Sequence, residues 1–374
     1  MSAAHAYGAL DRLLHRVAFS RVLHGIELQK ALAGIEDSVL ARGLADGPPP
    51  RPVFVTALPR AGTTLLLSLL AALPEFATHT YRDMPFVLSP MLWNRVSHAF
   101  RKPAGLRERA HGDGMPVGYD SPEAFEEVLW MAFWRRKYRR HHIAPWTAAD
   151  RDADFEVFFA RHMRKVIAAR AAGDGPAPAR YLSKNNANIA RLTLLPRLFP
   201  DCRIVVPVRD PWPHARSLQR QHMRFSRIHA DDPFARRYMA WLGHFEFGAE
   251  LRPIRFPGWA AGGGHADPAG IDFWLRYWIA AHEAILAAAA GPNVVVVDYD
   301  RLCTDPRRTL AAVGGALDID DREALTAMAG GIRRPTAYAA PDGAHDPDLM
   351  LRAAELHDAL RGVSINHGPG LTPV

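Results

Sequence analysis

Two cysteines, Cys202 and Cys303, in 374 residues exclude a disulfide framework and a cysteine-rich zinc site. The histidines never fall in the His-Glu-x-x-His spacing, which disfavours a zinc hydrolase. No run of about 18 consecutive apolar residues occurs, so a membrane-spanning helix is not expected. Asp11, Arg12, His15 and Arg16 interrupt the apolar positions near the N-terminus, against an export signal. Lysine is nearly missing, at five of the 46 Lys and Arg residues. These scarcities together predict a reduced, cytoplasmic protein.

Apolar residues are plentiful, at 48% of the chain, which excludes a disordered tail protein and allows a large core. The formal charge of +7 admits two readings. Guanidinium groups bind phosphate and sulfate through paired donors, so the surface favours anionic partners. Alternatively, a coding bias towards Arg and Ala, visible in Ala287 to Ala290, has replaced lysine throughout. Only particular positions decide between them.

Residues 1–52 read as an N-terminal helical arm and a linker. Leu10, Leu13, Leu14, Val17, Ala18 and Val22 follow helical spacing, with Arg12, His15, Arg16 and Arg21 opposite. Such a basic amphipathic helix covers its own domain, lies on a membrane or forms a dimer contact. The proline-rich run from Asp46 to Pro52 ends the arm. Val53-Phe54-Val55-Thr56 then leads through a glycine turn into apolar Leu65 to Leu73, the opening of an α/β unit. Arg203 to Val208 and Val294 to Val297 suit strands of a parallel sheet, and Tyr181-Leu182-Ser183 is a weaker strand. A helical insertion is expected over about 84–175. One of its helices carries Phe155, Phe158, Phe159, Met163, Val166 and Ile167 on one face. Another covers Tyr119 to Trp134, opened by Asp120-Ser121-Pro122. Ala260 to Gly270 reads as a mobile loop, and 331–374 as a segment packing on the same domain, 53–330. The expected class is α/β, with a P-loop-type parallel sheet flanked by helices.

The most informative string is Pro59-Arg60-Ala61-Gly62-Thr63-Thr64. It lies where a strand ends and a helix begins, where free backbone N–H groups and the helix dipole form an anion site. Gly62 permits close backbone approach, Thr63 and Thr64 add hydroxyls, and Arg60 adds charge. No lysine follows Gly62, so the nucleotide-triphosphatase pattern is not met. Farther on, Arg209 stands at a strand end and Ser217 follows eight residues later, so both can converge on one phosphate. Together these strings resemble the sulfotransferases, whose 5′-phosphosulfate loop reads Pro-Arg/Lys-Ser-Gly-Thr-Thr. Ala61 is the departure, removing a hydroxyl but no backbone donor. Tyr181-Leu182-Ser183-Lys184-Asn185-Asn186 resembles that family's strand ending in Lys, with Asn where a proline is common. Val297 to Leu302 with Asp305-Pro306 is similar to a later family segment. The likeness covers about residues 53 to 320 and is closest to the bacterial and tyrosylprotein-type branch.

The resemblance implies transfer of a sulfuryl group from 3′-phosphoadenosine 5′-phosphosulfate (PAPS) to an acceptor hydroxyl or amine, releasing 3′,5′-ADP. It implies that Arg60 contacts the bridging and leaving oxygens, and that Pro59 to Thr64 hold the 5′-phosphate. Arg209 and Ser217 would clamp the 3′-phosphate, and Lys184 would contact the sulfuryl oxygens. No metal is required. The tyrosylprotein branch places a Glu about twenty residues past the loop arginine. Here Asp83 stands 23 residues on and is the first candidate for general base, with His79 second. Phe86, Trp93, Tyr119, Trp130 and Trp134 are candidate walls of an acceptor pocket. The basic run from Arg135 to His142 suits an acidic acceptor, a membrane surface or a solvated helix face, and Arg333 or Arg334 could close over the donor. The acceptor, whether small molecule, lipid, glycan or peptide, stays open; nucleic acid is not expected. Two rivals are a kinase-like phosphotransferase, in which Asp298 would hold magnesium, and a non-enzymatic basic binder of anions.

Overall fold

The computed structural model describes residues 9–20, 24–97, 107–108, 116–117, 121–171, 177–260, 266–333 and 345–367. The arm is two helices, α1 (Ala9–Phe19) and α2 (Gly25–Val39); the second was not anticipated. Strand β1 (Val53–Val55) follows the proline-rich linker and leads into α3 (Thr63–Ala71) and the edge strand β2 (Phe76–Ala77). The insertion holds α4 (Pro90–Ser97), a small antiparallel pair β3 (Arg107–Glu108) and β4 (Pro116–Val117), α5 (Glu126–Phe133) and α6 (Ala153–Arg170). Next come β5 (Arg180–Lys184), α7 (Leu194–Leu198) and β6 (Arg203–Val208). Helices α8 (Pro211–Asp231), α9 (Pro233–Leu242), α10 (Pro257–Ala260) and α11 (Ile271–Ala288) precede β7 (Val294–Asp298). The chain closes with α12 (Tyr299–Thr304), α13 (Pro306–Ala316), α14 (Arg322–Ala327) and α15 (Pro347–Gly362).

The main sheet has the order β2-β5-β1-β6-β7, with every pairing parallel. Val53 stands opposite Leu182 on one side and Arg203 on the other. The chain therefore leaves β1 with its later neighbours on opposite flanks, so a crevice opens at the carboxyl ends of the three central strands. Side chains alternate between two cores. Phe54, Tyr181, Ile204 and Val206 face the insertion and α11, with Trp130, Phe155, Phe159 and Trp278. Val53, Val55, Leu182 and Val205 face α3 and α13, with Leu66, Leu70, Leu310 and Val313. Each such fully buried side chain contributes about 1.5–3 kcal/mol. The "weak" strand β5 is in fact an interior strand between β2 and β1, and all of its residues are buried.

Two expected elements differ in detail. Helix α5 begins at Glu126, because residues 121–123 run extended against the end of β2's connection. Thr80 and Pro122 form an antiparallel bridge there, Tyr81 N–H donates to Ser121 O (3.3 Å) and Glu123 N–H to His79 O (3.0 Å). Tyr119 and Asp120 lie outside the described residues. In α6, capped by the Asp152 carboxylate on Phe155 N–H, the expected face is buried at Phe155, Phe159, Met163 and Val166 and half-buried at Phe158 and Ile167. Of Ala260 to Gly270, Ala260 belongs to α10, residues 261–265 lie outside the described residues, and Pro268 O accepts the Trp274 indole N–H.

The arm packs on its own chain. Phe19 stacks on Trp241 at 5.8 Å and His15 meets Tyr238 at 5.4 Å, both on α9. A β-carbon on Gly25 would lie 2.4 Å from Ala18 O, so only glycine allows α1 and α2 to turn this closely. Glu36 of α2 and Lys165 of α6 form a fully buried ion pair at 2.9 Å. Burial raises the Glu36 pKa, and the Lys165 charge opposes the rise. At the far end, Ala353, Leu356 and Leu360 of α15 are buried against the same core as α11. Among the described residues, no helix is long and apolar enough to cross a membrane.

Candidate functional site

The crevice is framed by the ends of β5, β1 and β6, so residues 59–64, Lys184 and Arg209 come to one edge of the sheet. After Val55 the chain runs through Thr56 and Leu58 into a loop with two left-handed residues, Arg60 (φ 72°) and Gly62 (φ 99°). For Arg60 this conformation costs about 1–3 kcal/mol, and it is tolerated because the loop is held from several sides. Gly62 caps α3, and a β-carbon there would lie 2.4 Å from the Tyr299 ring. Helix α3 starts at Thr63 and Thr64, so its first turn lies beside the loop.

The two distant sequence strings meet here. Arg60 Nε donates to Ser217 Oγ at 3.4 Å, and Arg209 Nη1 donates to Arg60 O at 3.2 Å. Arg209 lies 5.6 Å over the Tyr299 ring. Helix α8 is started cleanly by Asp210, whose carboxylate accepts from Trp212 N–H at 3.0 Å, and by Pro211 in the first turn. This start fixes where Ser217 falls, two turns on.

His214, on the same helix, was not singled out from the sequence. Its Nε2 lies 2.8 Å from Pro59 O, and Trp278 Nε1–H donates to its Nδ1 at 3.2 Å. The indole is a donor only, so Nδ1 accepts and Nε2 carries the proton given to Pro59. Burial, with help from His282 and Arg209, lowers the His214 pKa far below the usual imidazole range, keeping this tautomer neutral. His214 thus clamps the loop backbone. The signal was there only in its position, five residues past Arg209.

Lys184 ends β5 opposite Val55 and is 8% exposed. Where a proline is common, Asn185 caps a short 3₁₀ turn over Asn186–Ala190, accepting from Ala187 N–H at 3.1 Å. Its amide donates to Glu127 Oε2 (2.7 Å), which also takes Arg191 Nη1 at 2.7 Å. The Arg191 guanidinium is sandwiched 4.1 Å from both Trp130 and Trp146. Asn186 links the loop to a further carboxylate. Thr63 Oγ1 donates to Asn186 Oδ1 (3.3 Å), and Asn186 Nδ2 donates to Glu246 Oε1 (3.1 Å). Burial alone would raise the Glu246 pKa, but His244, 3.7 Å away, and Lys184 outweigh it and bring it to about 2. Glu246 therefore stays ionised at neutral pH. No motif marked it in the sequence.

Asp83 and His79 follow the edge strand β2, two strand positions from β1, and are 1% and 2% exposed. Asp83 Oδ2 takes Arg170 Nη2 at 2.6 Å, His79 Nδ1 at 3.0 Å and Thr80 N–H at 3.0 Å. Burial opposes ionisation, but Arg170 and His79 prevail and hold the carboxyl well below its usual range. The ionising partner is thus Arg170 of α6, with His79. His79 Nε2 faces His162 Nε2 at 3.1 Å, and burial keeps His162 neutral with a pKa far below normal.

Of the expected pocket walls, Trp130 and Trp134 lie in the core at 0% and 1% exposure, Phe86 and Trp93 pack together at 4.9 Å, and Tyr119 lies outside the described residues. In the basic run, Arg135, Arg136, Arg139, Arg140 and His141 are exposed, whereas Lys137 pairs with Asp150 at 2.8 Å. Arg333 is exposed, and Arg334 lies outside the described residues. Asp298 is 4% exposed and already engaged. It caps α12 through Arg301 N–H (2.9 Å) and meets Arg361 (3.3 Å) and His367 (2.5 Å). The pocket that does adjoin the loop begins at Leu58 and Pro59, passes Asn186 and Glu246, and is a cavity of about 30 Å³ that opens to solvent.

The chain resembles the crystal structure of sulfotransferase STF9 from Mycobacterium avium at 16% identity and a TM-score of 0.51, covering 92% of this chain and 83% of that one. Sulfotransferase STF1 from Mycobacterium tuberculosis H37Rv matches at 16% identity and a TM-score of 0.45, covering 94% and 85%. At such identity the likeness to STF9 speaks for the fold. No curated protein sequence matches the chain. Residues 52–257, more than half of the chain, match the model of the Sulfotransferase family. That span holds Arg60, Arg209 and Ser217 together, and the chain belongs to the sulfotransferase family.

Proposed function

We propose that the protein transfers a sulfuryl group from PAPS to an acceptor hydroxyl or amine, by in-line displacement. The observation that carries this reading is the meeting of Arg60, Ser217 and Arg209 at one loop, with Arg60 Nε 3.4 Å from Ser217 Oγ. Two guanidinium groups, several hydroxyls and a helix start form a donor set that fits a nucleotide with phosphate at both ends. The donor, when bound, supplies the activated sulfuryl group. Thr63, Thr64 and the loop amides bind its 5′-phosphate. Arg60 neutralises charge growing on the oxygen that bridges phosphate and sulfur, and Lys184 orients the sulfuryl oxygens. Arg209 and Ser217 hold the 3′-phosphate and so set the register of the whole nucleotide. Catalysis on this reading is positioning and charge stabilisation.

The kinase reading loses support at Asp298, which serves as a helix cap and ion-pair partner. Thermal shift separates the two. Addition of 3′,5′-ADP at about 100 times its dissociation constant should stabilise the protein by about 2.7 kcal/mol, and ATP with Mg²⁺ should not. Stabilisation by ATP–Mg²⁺ alone would reverse the assignment.

A further inference from the structure

We propose that the pocket beside the phosphate loop admits the hydroxyl end of an uncharged apolar alcohol or phenol whose body lies across its open mouth, and that Glu246 is the general base that takes its proton. This rests on the PAPS reading above. The pocket starts at Pro59 of the loop, and its walls include Leu218, Ile254 and Trp274, so the body it accepts is apolar. Its two charged lining residues are Glu246 and Arg252. Arg252 lies 4.2 Å over the Phe245 ring and 3.5 Å from the Glu250 carboxylate, which offsets its charge. An anionic acceptor would therefore meet Glu246 with no help from Arg252, and His244 and Lys184 already act on that carboxylate.

Glu246 is placed for the role by a chain of hydrogen bonds. Thr63 of the donor loop holds Asn186, and Asn186 holds Glu246 Oε1 at 3.1 Å. The carboxylate is thus two hydrogen bonds from the first turn of α3, and it feels the charge of Lys184. Its side chain is 24% exposed, against 1% for Asp83. An acceptor can reach the former; the latter is closed in by Arg170 and His79.

In the step, the acceptor oxygen forms a bond to sulfur while the bond from sulfur to the bridging oxygen breaks. The electron pair of that bond leaves with 3′,5′-ADP. The acceptor proton, made acidic as its oxygen bonds to sulfur, passes to a Glu246 oxygen. Asn186 acts as a positioning residue through its hold on the carboxylate.

The test uses the full chain, PAPS, and 2-naphthol and 1-octanol as apolar probes, with methyl β-glucoside as a polar comparison. The wild type should turn over at least one apolar probe faster than the glucoside. E246Q should lower kcat about 10²–10⁴-fold while its Kd for 3′,5′-ADP stays within about threefold, which also reports folding. E246D should keep more activity than E246Q, and Asn186→Ala should lower kcat more than it raises the KM of the acceptor. Normal kcat in E246Q would overturn the base assignment. Faster turnover of the glucoside, or none of either apolar probe by a protein that binds 3′,5′-ADP, would overturn the acceptor class. Failure of the wild type to bind 3′,5′-ADP would instead bring down the donor reading beneath both.

Discussion

At the phosphate loop, Arg60 hydrogen-bonds a serine hydroxyl and Arg209 a backbone carbonyl. On the insertion side, Arg191 meets Glu127, Arg170 meets Asp83 and Lys165 meets Glu36, each at 2.6–2.9 Å from a carboxylate. A hydroxyl or carbonyl orients a cation without cancelling its charge, whereas a buried carboxylate cancels it. The first arrangement positions the two guanidinium groups at the loop. The second fixes architecture, and it is costly to break because the surviving charge is stranded. Arginine abundance alone could not separate these two sets of contacts.

Substitutions test the comparison. The largest effect is expected for Arg191→Ala, which strands Glu127 in a fully buried site and removes the guanidinium between two indoles. Unfolding free energy should drop by about 3–5 kcal/mol, measured by denaturant titration. Arg60→Ala should leave stability nearly unchanged and lower kcat about 10²–10³-fold, or about 2.7–4 kcal/mol of transition-state stabilisation, read from steady-state kinetics. If Arg60→Ala instead unfolds the protein while Arg191→Ala only slows it, the division fails.

Asp83→Asn should cost about 1–3 kcal/mol of stability, since Arg170 keeps partial access to water at 19% exposure. Its turnover per folded molecule should stay near normal, and abolished turnover with intact 3′,5′-ADP binding would return Asp83 to the role of base. The pH dependence has a definite sign. The folded-state pKa of Asp83 is depressed, so its stabilisation is fully present above the unfolded value near 3.9 and is lost as pH falls from there towards the folded value. Acid titrations of the wild type and Asp83→Asn should therefore converge below about pH 4. The smallest effect is expected for His214→Ala, about 0.5–1.5 kcal/mol in 3′,5′-ADP affinity, measured calorimetrically, because it loosens the Pro59 carbonyl without removing a ligand.

The loop was legible because strand, glycine turn and helix are local patterns and their chemistry is written in adjacent residues. The Arg209–Ser217 spacing was legible for the same reason, since Asp210 and Pro211 start a helix that fixes both. Glu246 was not, because its role depends on Asn186, 60 residues earlier, meeting it across the sheet edge. The start of α5 was misplaced since Pro122 is held in a bridge to Thr80, a tertiary contact that overrides a good local start signal. Asp83 matched a sequence spacing, and that spacing says nothing of Arg170 on a helix far along the chain. Helix α2 was missed beside the stronger pattern of α1, and its place is set by the buried Glu36–Lys165 pair.

The indole that fixes the His214 tautomer has a neighbour of its own. Trp278 stacks on His282 at 3.8 Å and meets the ring of His357, on α15, at 6.3 Å. A shortened variant ending before α15 would therefore uncover the α11 surface behind the loop's backbone clamp. For anyone engineering this enzyme, a reporter or immobilisation handle inserted between residues 347 and 362 would disturb the loop's backbone clamp from the back of the molecule, although it never touches the loop.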